Sequence, residues 1–178
     1  PYSYPAGALH VVMVGRLAHE KGIDRALRAL ACVRGQGIAA MLHLVGSGPK
    51  EQELRALAQS LSLADAVIFH GSQSNPYRFM RNADLLLMTS FHEAAPMVID
   101  ESCCPGLPVL STATTSTQEM ILRRGCGWAC GQSQDSINSA LEEILQGRSA
   151  RERVRSQIQG MDIDNKQAMS QLEKLIGT

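Results

Sequence analysis

The chain has 178 residues, with 17 Lys plus Arg against 17 Asp plus Glu, so its formal charge is zero. That balance excludes a general nucleic-acid binder, which carries a basic excess, and a polybasic membrane anchor. Hydrophobic residues at 44% against 19% charged exclude disorder as the main state, and no apolar run approaches the roughly 18 residues of a membrane-spanning helix.

The length fits one domain with a short appendage. The cations divide into 13 Arg and 4 Lys; Arg is the better fork for phosphate and carboxylate. The chain begins at Pro1 with no signal-peptide pattern and reads as a piece of a longer protein. Cys32, Cys103, Cys104, Cys126 and Cys130 are odd in number and lack CxxC spacing. They are expected as free, buried thiols in a reducing compartment rather than as a metal site.

In chain order, residues 1–8 (PYSYPAGA) read as a linker of turn-formers and small residues. Residues 9–14 (LHVVMV) are a continuous apolar run ended by Gly15, as in a buried parallel strand. Residues 22–34 place Ile23, Leu27 and Leu30 at helical spacing, with Arg25, Arg28 and Arg34 on the other positions. Strands follow at 41–45, 66–69, 85–89 and 108–112, with a weak one at 127–130. Helices are expected at 50–61, 76–82, 97–104 and 117–123, then at 134–146, 149–159 and 165–176. This alternation predicts an α/β, Rossmann-like parallel sheet with helices on both faces, formed by residues 9–160. The eight Met residues are expected as core filler and Trp128 as a packing residue.

Sheets of this kind bind ligands at the carboxyl ends of their strands. After the first strand stand Gly15, Arg16 and Lys21, two cations beside a helix start that would suit a diphosphate. After the second comes Gly46-Ser47-Gly48-Pro49, which lacks both the P-loop and the GxGxxG patterns and reads as a tight turn. The missing GxGxxG disfavours a dinucleotide-dependent oxidoreductase.

The segment from Thr89 to Val109 carries the most information. Glu93 and Glu101 are separated by seven residues, Pro96 suits a first helical turn, and Gly106 and Pro108 stop the helix. Glu93 is therefore expected in a loop and Glu101 inside the helix, with backbone NH groups near Ala95, Met97 and Val98 forming a partly positive helix end. Carboxylates accept the two donors of a vicinal sugar diol, and NH groups suit a phosphate. Ser116-Thr117-Gln118-Glu119 reads as a capping box. Asp162-Ile163-Asp164 reads as a polar turn between late helices rather than a metal triplet, and no metal site is expected. His70 and His92 are read as structural rather than ligand-binding.

GRLAHEKG, VGSGP, VIFHG, SFHEAAPMVIDES with PGLPVLST, and EMI before a Gly occur in that order. The set resembles the donor-binding carboxyl-terminal half of retaining GT-B glycosyltransferases of family 4 (group 1), in a form similar to bacterial enzymes that build surface polysaccharides. The resemblance spans residues 9 to about 145. It implies that Arg16 and Lys21 bind a donor diphosphate. It places Glu93 near the transferred sugar and Glu101 on the ribose hydroxyls. It implies that Ala95, Pro96, Met97 and Val98 approach sugar and diphosphate, that Ser72 and Gln73 meet the base through backbone, and that Arg78 is a further basic position. Many members have Gly-Phe after the first Glu where this chain has Ala94-Ala95, so the pocket beside the sugar is expected to differ.

The implied activity is metal-independent, retaining transfer from a nucleotide diphosphate sugar, a UDP-sugar first, to an acceptor held by a missing amino-terminal domain. No separate cofactor is implied. Residues 161–178 would pack toward that domain. The setting implied is cytoplasmic, at most peripheral to the inner face of the cell membrane. Two other readings remain at this point: a binding module inactive as a fragment, and a GT-B nucleotide-sugar epimerase, against which the E-x7-E pattern argues.

Overall fold

A computed structural model describes residues 2–160, in which six strands alternate with helices. The strands are β1 (Leu9–Val14), β2 (Ala40–Val45), β3 (Val67–Gly71), β4 (Leu85–Met88), β5 (Val109–Thr112) and β6 (Gly127–Cys130). They form one parallel sheet in the order β3-β2-β1-β4-β5-β6. The helices are α1 (Ile23–Gly35), α2 (Glu51–Ser60), α3 (Tyr77–Met80), α4 (Met97–Cys103), α5 (Thr115–Arg124), α6 (Gln134–Gln146) and α7 (Arg148–Gly160). The expected helix at 165–176, the Asp162-Ile163-Asp164 triplet and Pro1 lie outside the described residues.

Side-chain alternation along the strands sorts the core into two layers. Val11, Met13, Leu85 and Leu87 join α1, α2 and α6 on one face. Val12, Leu86, Met88 and Val109 join Phe79, Ile99, Ile121 and Ile158 from α3, α4, α5 and α7 on the other. The order reverses between β1 and β4, and the crevice beyond their carboxyl ends is where such a sheet takes its ligand.

Several expectations change. Arg25 is buried at 7% exposure although it was placed among the polar positions of α1; carbonyls at the sheet end, described below, draw it inward. Met97 is 69% exposed and is not core filler, because it opens α4 at the sheet's carboxyl edge. Cys104 is exposed, while Cys103 and Cys126 are buried; all five thiols are free. The capping box of α5 is formed by Thr114 and Thr117, not by Ser116 and Glu119. Thr114 is the last extended residue before the helix, so its Oγ1 meets the NH of Thr117 at 3.3 Å while Thr117 Oγ1 accepts the NH of Thr114 at 2.9 Å.

Residues 2–8 form neither helix nor strand, yet they dock firmly. Tyr2 packs on Phe79 and His70, and Tyr4 stacks on His10 at 4.4 Å. Beneath them runs a chain of three imidazoles with one polarity. The carbonyl of Pro5 can only accept, so His10 Nε2 donates to it at 2.8 Å. His10 Nδ1 then accepts from His43 Nε2, and His43 Nδ1 accepts from His70 Nε2, each at 3.0 Å. This polarity needs neutral rings at His43 and His70, which their surroundings favour. Burial, reinforced by His10 and His70, pushes His43 down to about 3, and burial with the nearby Arg78 lowers His70.

Native His43 thus stays neutral where the unfolded chain takes a proton near its ordinary value of 6.5. The unfolded state binds more protons between those limits, so stability is full above pH 6.5 and is lost as pH falls through the window. Urea midpoints should fall steadily from about pH 6.5 toward pH 4, and the fall should be shallower in His43→Gln. Equal slopes in the two proteins would contradict this account.

Candidate functional site

The turn after β1 is built against the turn after β2. The NH of Leu17 donates to Ser47 O, and the NH of Lys50 to Leu17 O, both at 3.0 Å. The two backbones approach so closely that a Cβ on Gly46 would lie 1.9 Å from Gly15 O, and one on Gly48 would lie 2.3 Å from Leu17 O. The GSGP glycines therefore serve close backbone contact, and α2 begins at Glu51, one residue after the expected start. Leu17 is buried, which turns Arg16 out to solvent at the crevice.

A 3₁₀ turn at His19–Lys21 then leads into α1 through Gly22. Against this turn lies the end of β4. Thr89 Oγ1 donates to Gly22 O at 2.8 Å, and the NH of Phe91 donates to Glu20 O at 3.0 Å. Arg25 completes the joint. Its Nη2 donates to Thr89 O, and its Nη1 donates to Gln132 O at 2.8 Å and to Gln132 Oε1 at 3.0 Å. Its guanidinium lies 3.9 Å from the centre of the Phe91 ring. Gln132 itself donates to Ala113 O at 3.0 Å, which carries the connection to β5.

This joint places Lys21 beside Glu93. Lys21 Nζ donates to Glu93 Oε1 at 2.6 Å, and Ser90 Oγ donates to the same oxygen at 2.7 Å. The Glu93 side chain is 9% exposed and that of Lys21 30%. The carbonyl of Glu93 accepts from Ser116 Oγ on α5. Gly15, Arg16, Lys21, Ser90, Glu93 and Val98 line one cavity of about 30 Å³ at the crevice between β1 and β4.

Of the residues singled out in the sequence, Arg16, Lys21, Glu93 and Val98 thus meet in one place. Ala95 is exposed, Pro96 is buried, and the NH of Met97 is engaged by Ala95 O at 2.9 Å. Glu101 stands apart on α4, half-buried near Tyr77 of α3; burial raises its carboxyl above the usual range, and its charge contributes to a raised Tyr77. Arg78 is exposed on α3. Ser72 is exposed after β3, and the Gln73 side chain folds back to donate to His70 O at 2.7 Å. Sequence reasoning does not assign Ser90 or Gln132 to the site, and it reads Arg25 only as a polar helix position and Ser116 only as a helix cap. Only Ser90 carried a usable signal, an Oγ three residues before a loop carboxylate. Among the described residues no cluster of three His, Cys, Asp or Glu could hold a metal ion, and no helix is long and apolar enough to cross a membrane.

Residues 5–161 match the family described as glycosyl transferases group 1. The chain belongs to this family. It is 32% identical over 137 residues to the lipopolysaccharide glucosyltransferase WaaG of Escherichia coli K12, an alignment that covers 76% of this chain and 37% of WaaG. It is 32% identical over 152 residues to the lipopolysaccharide core biosynthesis glycosyltransferase LpsE of Rhizobium meliloti, covering 84% of this chain and 43% of LpsE. The chain therefore spans less than half the length of these relatives. The crystal structure of a WaaG superimposes with a TM-score of 0.81 at 26% identity, over 98% of this chain and 48% of that one. The structure of HepE from Anabaena in complex with UDP and glucose gives 0.79 at 21% identity, over 95% and 49%. The group 1 domain thus has the Rossmann-like architecture of GT-B glycosyltransferases, and relatives such as WaaG and LpsE are named for bacterial lipopolysaccharide synthesis.

The Arg25 joint makes a stability prediction. Arg25→Met leaves three acceptors without their charged donor and should lower the unfolding free energy by about 2–4 kcal/mol in urea titrations. Arg28→Met, exposed on the same helix, should change it by no more than about 0.5 kcal/mol. Similar losses in the two variants would refute the joint.

Proposed function

We propose that this group 1 domain binds a nucleotide diphosphate sugar at the crevice between β1 and β4 and supports retaining transfer of the sugar to an acceptor. The convergence of Arg16, Lys21, Ser90 and Glu93 on that crevice carries the reading. Arg16 and Lys21 would bind the diphosphate. As the bond from the anomeric carbon to the β-phosphate oxygen breaks, that oxygen keeps the electron pair, and the two cations stabilise the charge that develops on it. Protein cations in this role make a metal-independent transfer the simpler reading. Glu93 would orient the sugar through its hydroxyls. A glycosidase-type nucleophile needs a second carboxylate across the same bond, and Glu101 stands away on the α3 side, where ribose hydroxyls suit it.

The base would lie over Ser72 and Gln73. Gln73 has its side-chain amide turned to the carbonyl of His70, which leaves main-chain groups for recognition. Arg78 would add positive charge on that side. UDP is the first choice of nucleotide, supported by the UDP bound in the HepE structure. Met97 and Val98 would approach the sugar and diphosphate, and Ala95 and Pro96 would shape the approach. The relatives' greater length supports an acceptor domain outside this chain, so the chain alone is expected to bind donor without turning it over. The setting proposed is cytoplasmic, at most peripheral to the inner membrane face.

Isothermal calorimetry with UDP, GDP and their sugars tests this directly. The chain should bind one nucleotide series, and Arg16→Ala should weaken that binding by at least about tenfold, the loss of one charged hydrogen bond. In the intact transferase Glu93→Ala should lower transfer by at least about tenfold. No nucleotide binding, or unchanged turnover in Glu93→Ala, would sink the corresponding assignment.

A further inference from the structure

Beyond Glu93 the molecule has a second concave surface. An open groove of about 520 Å³ lies between the loop of His92, Glu93 and Ala94 and the start of α5, which contributes Thr115, Ser116 and, one turn on, Glu119. Glu93 belongs to both concavities. Its carboxylate faces Lys21 and Ser90, and its carbonyl is tied to Ser116 Oγ on the groove side. It therefore lies where a cation-lined cavity meets a groove that has no Lys or Arg in its walls.

The groove's chemistry is unclaimed by the fold. Thr114 and Thr117 form the cap of α5, which leaves Glu119 out of it. Glu119 is exposed and makes no hydrogen bond or ion pair with any described residue; the Thr115 hydroxyl is likewise exposed and unpartnered among them. The walls offer a carboxylate that only accepts, hydroxyls that donate and accept, and the exposed His92 imidazole, which does both. That set suits a neutral polyhydroxyl ligand. An anion is disfavoured, since no Lys or Arg lines the groove and Lys21, beside Glu93, is paired with it. Ala94, exposed and small, leaves the groove open along its other wall.

We propose that this groove receives the sugar ring of the donor, with Thr115 and Glu119 binding the hydroxyls farthest from the diphosphate and so setting which sugar is accepted. The assignment rests on the donor reading given above and adds the residues that discriminate among sugars. It makes the β5–α5 turn a specificity element, physically separate from the diphosphate contacts of Arg16 and Lys21.

The test uses the whole chain, with calorimetric titration of UDP, UDP-glucose, UDP-galactose and UDP-N-acetylglucosamine, and GDP with GDP-mannose as a second series. Wild type should bind one sugar nucleotide more tightly than its bare nucleoside diphosphate. Thr115→Val and Glu119→Gln, both at exposed positions, should leave the bare nucleotide within about twofold and weaken the preferred sugar nucleotide by about tenfold. Circular dichroism should show both variants folded. Unchanged affinity ratios between sugar nucleotide and nucleotide in both variants would overturn the assignment. So would equal weakening of both ligands, or a wild type to which the sugar adds nothing. Failure of the donor reading gives a different result, namely no nucleotide binding by wild type or no effect of Arg16→Ala on the bare nucleotide.

Discussion

A buried guanidinium holds the working end of this domain together. Arg25 sits on α1, yet its donors go to Thr89 at the end of β4 and to Gln132 after β6, while its flat face rests on Phe91. The turn after β1 and the loop after β4 are far apart in sequence and belong to the two halves of the sheet. Neighbouring strands fix their direction but not the path of the loops that leave them. Arg25 supplies that path by satisfying the buried Thr89 carbonyl and tying it to Gln132. The Lys21–Glu93 contact is a consequence, because each residue lies within four positions of a backbone group that the joint immobilises.

The same economy governs the side of β1 and β2. Gly46 and Gly48 bring the second turn against the first at distances no side chain would permit. Arg16 is consequently carried on a stiff double layer of backbone. Across the α3 face of the sheet, from the start of β1 to the end of β3, Tyr2 and Tyr4 cover a run of hydrogen-bonded imidazoles whose polarity is set from one proline carbonyl. Polar groups inside this sheet are thus organised as directed chains with defined ends.

The strands and most helices were legible because a parallel sheet covered on both faces writes long apolar runs punctuated by glycine, and α6 was read to the residue. Arg16, Lys21 and Glu93 could be picked out because the fold concentrates function just past strand ends. What could not be read depended on which partner a polar side chain chooses. Arg25, Arg28 and Arg34 look alike along α1, and only the third dimension shows that carbonyls await the first of them. Thr114, Thr115, Ser116 and Thr117 offer several caps of similar quality. The strand's exit angle and the pull of the Glu93 carbonyl on Ser116 decide among them. Tyr2 and Tyr4 belong to a segment whose composition is that of a linker, and only the imidazoles below give it a surface to adhere to.

The pairing of Lys21 with Glu93 has a consequence for anything negatively charged that approaches from solution. At 2.6 Å the two opposite charges act outwardly as a dipole, whose field decays faster with distance than that of a lone charge. Long-range attraction at the crevice is therefore exerted by Arg16, and Lys21 is felt only on arrival. First encounter and final seating are then performed by different cations: the one in solvent guides, and the one in the pair changes partners.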